Sequence, residues 1–435
     1  MLEAALPMAM IAITLTGILM GYRVGMVLAG SAALFILASD LPTAFFNLMV
    51  SRIYANVLSN WLLVAIPMFI FMGVLLELSG VAERSLRAAQ RAMGGSAAGM
   101  GLSVLVISVL LAASSGIVGA SVVLLTLLAL PRLKEAGFNN STSAGLVAAS
   151  GTIAILIPPS VMLIVLADQL QVPVPRMFAG ALVPGIMLVV FYGLLIVWRA
   201  RTLPPMQDKQ RIAWWRLMVD LGPLLVLVVA VLGSIINGIA TPTEASGLGA
   251  LGAIFITVIY GRFSFANTME AARRTIVTTS IVLFVMIGAT CFSAVFKGIG
   301  GDDLVESGIM AFGSEPATIL AVVMVSIFLL GFVLDWLEIS LILMPIFAPI
   351  VGGLEFANGL SGDSLLIWFG ILVAVNLQTS FLTPPFGFSL FYLRGAADKT
   401  LTTPEIYRGV IPFIALQLLA LALLIIFPRL IIGFT

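Results

Sequence analysis

The chain reads as an all-α polytopic membrane protein folded as an inverted repeat, and three observations predict it. Hydrophobic residues make up 61% of the 435 and charged residues only 9%, against roughly 25% charged in a soluble globular domain. Apolar runs of bilayer-spanning length follow one another along the whole chain. Two of those runs are interrupted by a Pro-Pro pair: Pro158-Pro159 within SGTIAILIPPSV (Ser150 to Val161), and Pro384-Pro385 within TSFLTPPFGFSL (Thr379 to Leu390). Their offset, 384 − 158 = 226, is close to half the chain length.

Composition also excludes function classes. The net charge of +1 provides no concentrated basic face, so nucleic acid is not a partner. With no histidine in the chain, Ser-His triads and HExxH zinc sites are impossible, and no G-x-x-x-x-G-K-[ST] loop suggests ATP hydrolysis. An enzyme is not expected. The single cysteine, Cys291, reads as a packed small hydrophobe. The first apolar run, Leu2 to Met20, follows no basic region and precedes no cleavage site, so it is expected to remain as a span.

Taken in order, spanning runs fall at about 2–20, 24–39, 60–79, 141–168, 177–198, 217–237, 246–261, 275–296, 364–393 and 405–428. Two further regions, about 98–131 and 316–352, are interrupted centrally, by SSGIVGAS (114–121) and DWLEIS (335–340). Arms of about 15 residues give roughly 22 Å of helix, short for a core of about 30 Å, and predict re-entrant hairpins. Under this arrangement 17 of the 21 Lys and Arg fall on one face, which is then cytoplasmic, with Arg52, Arg176, Lys297 and Arg429 opposite. Residues 1–208 form one repeat and 209–435 the other. Each has five spans and one hairpin, and the odd span count inverts the second repeat. Pro42 to Asn56 and Phe263 to Arg274 read as flat amphipathic arms at matching places. Lys209 to Arg216 reads as a cytoplasmic linker, and the acidic Gly300 to Gly308 as an outer segment.

The broken runs are where chemistry is expected. Proline lacks an N–H and crowds the preceding turn, so carbonyl oxygens are freed, which a bilayer tolerates only where protein or a polar cavity covers them. The small-residue tip Ser114, Ser115, Gly116 and Gly119 faces the carbonyls around Gly151, Thr152, Pro158 and Pro159. Together they offer neutral oxygen ligands suited to a hard monovalent cation such as sodium; the alternative reading is a close small-residue helix contact. In the second half Asp335 and Glu338 mark the hairpin tip, either as costly intramembrane acids with a function or as solvated groups nearer the outer surface. Thr379, Ser380 and Thr383 bring hydroxyls beside Pro384 and Pro385. Ser160, Asn376 and Gln378 are candidates for substrate contact, and the last two serve equally as interhelical hydrogen bonds. Thr241-Pro242-Thr243-Glu244 has the pattern of a helix cap.

These residues resemble the DctM-type large membrane subunit of the tripartite ATP-independent periplasmic (TRAP) transporters. The marks are ASSGIVGAS, SGTIAILIPPSVMLIV, ATPTEAS, LDWLEISLILMPIFAPI and FLTPPFGFSLFYLRGAA, spread over essentially the whole chain. The resemblance implies an elevator-type fold related to the ion transporter superfamily, with a static scaffold and a mobile transport domain. It further implies sodium-coupled import of a carboxylate-bearing organic anion across the bacterial inner membrane, sodium being the coupling ion and no other cofactor being needed. Implied partners are a small four-span DctQ-type subunit and a periplasmic solute-binding protein. It places sodium at Ser114 to Gly119 with Gly151 to Pro159, and at Asp335 to Ser340 with Thr379 to Pro385. The FLTPPFGFSLFYLRG ending is more like the branch associated with 2-oxo acids, mannitol-like or aromatic acids than the sialic acid branch. The alternatives are an anion symporter or exchanger of the same superfamily that works without a binding protein, and a passive channel.

Overall fold

The computed structural model describes residues 2–39, 41–42, 44–93, 96–115, 118–204, 214–356 and 359–435. They fold almost entirely into helices. The first half runs α1 (Leu2–Leu19), α2 (Val24–Ala38), α3 (Ala44–Ile53), α4 (Ala65–Leu78), α5 (Val81–Ala92), α6 (Ala97–Ser115), α7 (Val118–Leu128), α8 (Leu130–Glu135), α9 (Asn140–Thr152), α10 (Val161–Gln169) and α11 (Val174–Ala200). The second runs α12 (Trp214–Ile236), α13 (Pro242–Ile259), α14 (Phe265–Gly298), α15 (Gly301–Met310), α16 (Pro316–Leu330), α17 (Trp336–Ile342), α18 (Met344–Gly352), α19 (Gly362–Leu382), α20 (Phe388–Ala396), α21 (Thr403–Ile426) and α22 (Arg429–Ile432). The Lys209 to Arg216 linker lies largely outside the described residues.

Among the described residues seven segments are long and apolar enough to cross a membrane: Trp61–Leu78, Val174–Ala200, Val219–Ile236, Pro242–Ile259, Phe265–Gly298, Gly362–Leu382 and Thr403–Ile426. Ten spans were expected. The runs at 2–20 and 24–39 form helices of 18 and 15 residues, and the run at 141–168 divides into helices of 13 and 9. Apolar side chains such as Val226, Val229, Leu251 and Phe255 stand exposed on α12 and α13, the surface a lipid-facing helix presents.

Two expectations need correction. The flat arm Phe263 to Arg274 is not a separate helix, because it continues into the following span as the 34-residue α14. No Gly or Pro lies between Phe265 and Ile287 to break it. At 1.5 Å per residue α14 is about 51 Å long, well beyond the hydrocarbon core. The second hairpin turns earlier than DWLEIS: α16 ends at Leu330, residues 331–334 form the turn, and Asp335 already caps the returning α17. An Asp at this position competes for backbone N–H groups, which favours a helix start over a loop apex. The arm at Pro42 to Asn56 does contain a helix, α3, followed by one π turn at Tyr54–Leu58.

Local chemistry accounts for other boundaries. Thr241 and Glu244 form a reciprocal capping box at the start of α13, and Thr402 with Glu405 repeats it at α21. Cys291 is free and buried. Packing sorts the helices into two groups. α14 packs on both α2 and α4, with α13 against α4, while α9, α11, α19 and α21 form the second group with α7 against α9. Contacts between the groups run through α6 on α4, α17 on α14 and α10 on α4.

Charged residues cluster at the two ends. At one, Lys134 pairs with Asp398 at 3.3 Å, and Asn140 bonds Glu405 at 3.0 Å. The Thr400 hydroxyl and Lys134 hold the Asp398 carboxyl below the usual carboxylate range. At the other end Arg176 pairs with Asp363 at 3.7 Å.

Candidate functional site

The first break begins where α9 ends at Thr152. Ile153–Ile155 tighten into a 3-10 turn, and the Ile153 carbonyl accepts the N–H groups of both Leu156 (3.0 Å) and Ile157 (3.1 Å). Among the described residues no N–H donates to the carbonyls of Leu156, Ile157, Pro158 or Pro159. The Ile155 carbonyl is not left free: the Ser160 hydroxyl donates to it at 2.9 Å. Ser160 is wholly buried, so its hydroxyl serves the break itself.

The second break repeats this arrangement. α19 ends at Leu382, the Thr383 hydroxyl donates back to the Thr379 carbonyl at 2.8 Å, and the Ser389 hydroxyl donates to the Phe381 carbonyl at 2.6 Å. Ile155 and Phe381 each stand three residues before the first proline of their pair, so both breaks use a serine from beyond the prolines on the equivalent carbonyl, Ser160 just before α10 and Ser389 within α20. Pro158-Pro159 and Pro384-Pro385 are both cis. Pro385 and Phe386 reach the surface, whereas Pro158 and Pro159 are buried.

The two breaks meet. The Gln378 amide donates to the Thr152 hydroxyl at 3.2 Å, both residues being fully buried. Thr152 and Gln378 are 226 residues apart, the same offset as the proline pairs. Positions related by a two-fold axis touch one another only on that axis. Thr152 also donates to the Ala149 carbonyl at 2.8 Å, which leaves its oxygen to accept from Gln378. Asn376 donates to the Met324 carbonyl on α16 at 2.7 Å, tying the second hairpin to α19. Both amides therefore make interhelical bonds.

The hairpins approach the breaks through small residues. A Cβ at Gly151 would lie 2.3 Å from Val122 Cγ2 on α7, and one at Gly119 would lie 2.8 Å from the Tyr392 ring on α20. A Cβ at Gly331 would lie 2.3 Å from Ser380 Oγ. The return arm of each hairpin packs on the helix after the break in the opposite half, α7 on α20 and α17 on α10. Gly116 lies outside the described residues, as do the side chains of Ser114 and Ser115, the last residues of α6. Asp335 accepts the Trp336 N–H at 2.8 Å. Glu338 sits in the first turn of α17, with one carboxylate oxygen buried and unpartnered among the described residues.

Three contributors escaped the sequence reading: Ser150, Ser389 and Gly331. Ser150 Oγ and Gln378 Oε1 are both buried without a partner among the described residues. Neutral oxygens without hydrogen-bond partners, like the carbonyls freed at the break, are the donor type that a hard cation takes. The flanking hydroxyls were visible as sequence, but only their three-dimensional partners separate a ligand from a cap.

This fold, with apolar spanning helices and paired internal breaks, defines a multi-span membrane protein of transporter architecture. The crystal structure of the Alcanivorax borkumensis YdaH transporter, described as revealing an unusual topology, matches it with a TM-score of 0.65 at 16% identity, over 90% of both chains. The family profile for the tripartite ATP-independent periplasmic transporter, DctM component, matches residues 8–430, and the chain belongs to that family. It is similar to the 2,3-diketo-L-gulonate TRAP transporter large permease protein YiaN of Escherichia coli (strain K12), 27% identical over 88% of this chain and 89% of the relative. The Oleidesulfovibrio alaskensis isethionate TRAP transporter permease protein DctMQ is 29% identical over 92% of this chain, which spans 61% of that longer protein. These relatives are transporter permeases, and the chain is not an enzyme.

Proposed function

We propose that this chain is the large permease subunit of a sodium-coupled secondary transporter in a bacterial inner membrane. It imports a small carboxylate-bearing organic anion handed over by a periplasmic binding protein. It works beside a small four-span subunit, the two-part name of the longer DctMQ relative being in keeping with such a partner. The observation that carries this reading is the Thr152–Gln378 contact at the meeting of two equivalent helix breaks, flanked by buried oxygens without partners. Inverted repeats, here 1–208 and 209–435, place substrate and ion sites at such breaks near the midplane.

In this reading sodium is cargo rather than cofactor. Ser150 and the carbonyls of Leu156 to Pro159 would hold one ion with the first hairpin tip; Thr379, Ser380, Thr383 and the second hairpin would hold another. The hairpins at 98–131 and 316–352 re-enter rather than cross. The group around α9, α11, α19 and α21 is the mobile domain of an elevator, and that around α2, α4, α13 and α14 its scaffold. The equivalent helices α10 and α20 have unequal surroundings, which supports a state open to the cytoplasm. Val161 to Ala167 are buried with α10 touching the scaffold, whereas Phe391 and Tyr392 on α20 are exposed. Two sodium ions travelling with an anion of charge one or two make many such cycles move net positive charge inward.

The test is uptake against sodium concentration in proteoliposomes. Pro159→Ala lets the helix regain its own hydrogen bonds in competition with ion coordination, and Thr383→Val removes a hydroxyl at nearly constant shape. Both variants are expected to insert normally and to need more sodium for half-maximal uptake. Curves that superimpose on the wild type would refute the two breaks as coupling sites.

A further inference from the structure

At the end of the molecule opposite the Lys134–Asp398 pair, a cavity of about 450 Å³ opens between the two helix groups. Its volume suits a small organic ligand. One wall is Arg52, Asn56 and Asn60 with the α14 residues Thr290, Ser293 and Lys297; the other is the end of α10 and the return arm of the second hairpin. The α14 wall extends from Lys297 down to Met286, eleven residues or about 16 Å of helix. Leu341 of α17 joins Met286 and Ala289 at the bottom, where α17 packs on α14.

The charges in this cavity differ in how far they are already spent. Lys297 pairs with Asp302 at 3.5 Å and donates to the Pro345 carbonyl at 3.1 Å. Asp168 accepts the Asn60 amide at 2.7 Å and the Gln169 amide at 2.9 Å. Arg52 is partly buried, and its side chain has no hydrogen bond or ion pair with any described residue. Its guanidinium, with five donors in a planar fork, is the group left to meet a carboxylate. Above the apolar bottom the lining includes the amides of Asn56, Asn60, Gln169 and Gln171 and the hydroxyls of Thr290 and Ser293, which suits an anion that carries hydroxyls of its own.

We propose that this cavity is a receiving site on the outer face for a small hydroxyl-bearing organic anion, with Arg52 binding its carboxylate before the anion reaches the helix breaks. This deepens the anion-import reading and rests on it. The floor formed by α17 on α14 keeps the received anion above the breaks while the inner side is open.

The test reads local potential directly. In a Cys291→Ser background, Asn56→Cys provides one thiol on the cavity wall about one helical turn from Arg52. Its rates with an anionic (sulfonatoethyl) and a cationic (trimethylammonium-ethyl) methanethiosulfonate, applied from outside to cells carrying the full chain, are each normalised to a free thiol. A unit charge about 6 Å away in water changes the anion-to-cation rate ratio about tenfold. Adding Arg52→Gln should therefore lower the ratio about tenfold at low salt and by much less at high salt, while Lys297→Gln, already neutralised by Asp302, should lower it less. Gluconate should slow labelling of Asn56→Cys, and hexanoate at equal concentration should not. A thiol unreactive from outside, a ratio indifferent to Arg52, or equal effects of the two acids would each overturn the receiving site. Sodium-driven anion uptake that persists alongside such a result would leave the import reading standing. Loss of sodium dependence with the charge ratio intact would sink the import reading alone.

Discussion

Replacing Gly145 with alanine tests the packing that holds the first break in place. α9 and α21 cross with Gly145 facing Gly409. A Cβ at Gly145 would lie 2.1 Å from the Gly409 carbonyl oxygen and 3.0 Å from Phe413, and one at Gly409 would lie 2.0 Å from the Ser141 carbonyl oxygen. Both obstacles are backbone, so no rotamer change relieves them. Reaching an ordinary van der Waals separation requires the helices to part by about 1 Å or more, which forfeits a substantial share of the dispersion energy along the crossing. Overpacking of this kind costs about 1–3 kcal/mol. Gly233→Ala on α12 is the control, because nothing lies within 4 Å of its would-be Cβ, and helix propensity makes it neutral or stabilising by up to about 1 kcal/mol. Thermal unfolding of the purified protein in detergent should show a lowered midpoint for Gly145→Ala and no lowering for Gly233→Ala. Because α9 leads into Thr152, Gly145→Ala should also raise the sodium needed for half-maximal uptake. Equal midpoints for the two variants would refute the close crossing.

Two further outcomes are expected. Gln378→Leu and Thr152→Val each remove one buried interhelical bond, and a double-mutant cycle on thermal stability should return a coupling of about 0.6–2 kcal/mol; additive effects would show that the two side chains do not interact. Gly331→Ala drives a methyl toward Ser380 Oγ and should lower the thermal midpoint, with a smaller loss when it is made in a Ser380→Gly background; equal losses in the two backgrounds would place the fault elsewhere than this contact.

The sequence by itself determined whatever depends on local rules. Membrane residence followed from composition, because few charged side chains in long apolar runs cannot make a soluble surface. The break positions followed from Pro158-Pro159 and Pro384-Pro385, since a missing N–H and a ring clash act within one turn. The Thr241–Glu244 cap was legible for the same reason, its partners being three residues apart. The tertiary structure decided matters that depend on partners far along the chain. Whether Asn376 and Gln378 face substrate or another helix could not be read from their neighbours; the distance from Gln378 to Thr152 settles its observed bond, 226 residues away in sequence. That Ser389 caps the Phe381 carbonyl across the second break depends on where the chain goes after the prolines. The second hairpin turns before Asp335 because that side chain finds the Trp336 N–H as helix cap, a choice a short polar stretch leaves open. Arg52 showed nothing in sequence beyond its sidedness; only folding sets it against α14 and the end of α10, because whether a charge is spent depends on the partners that distant segments bring to it, and among the described residues none pairs with this one.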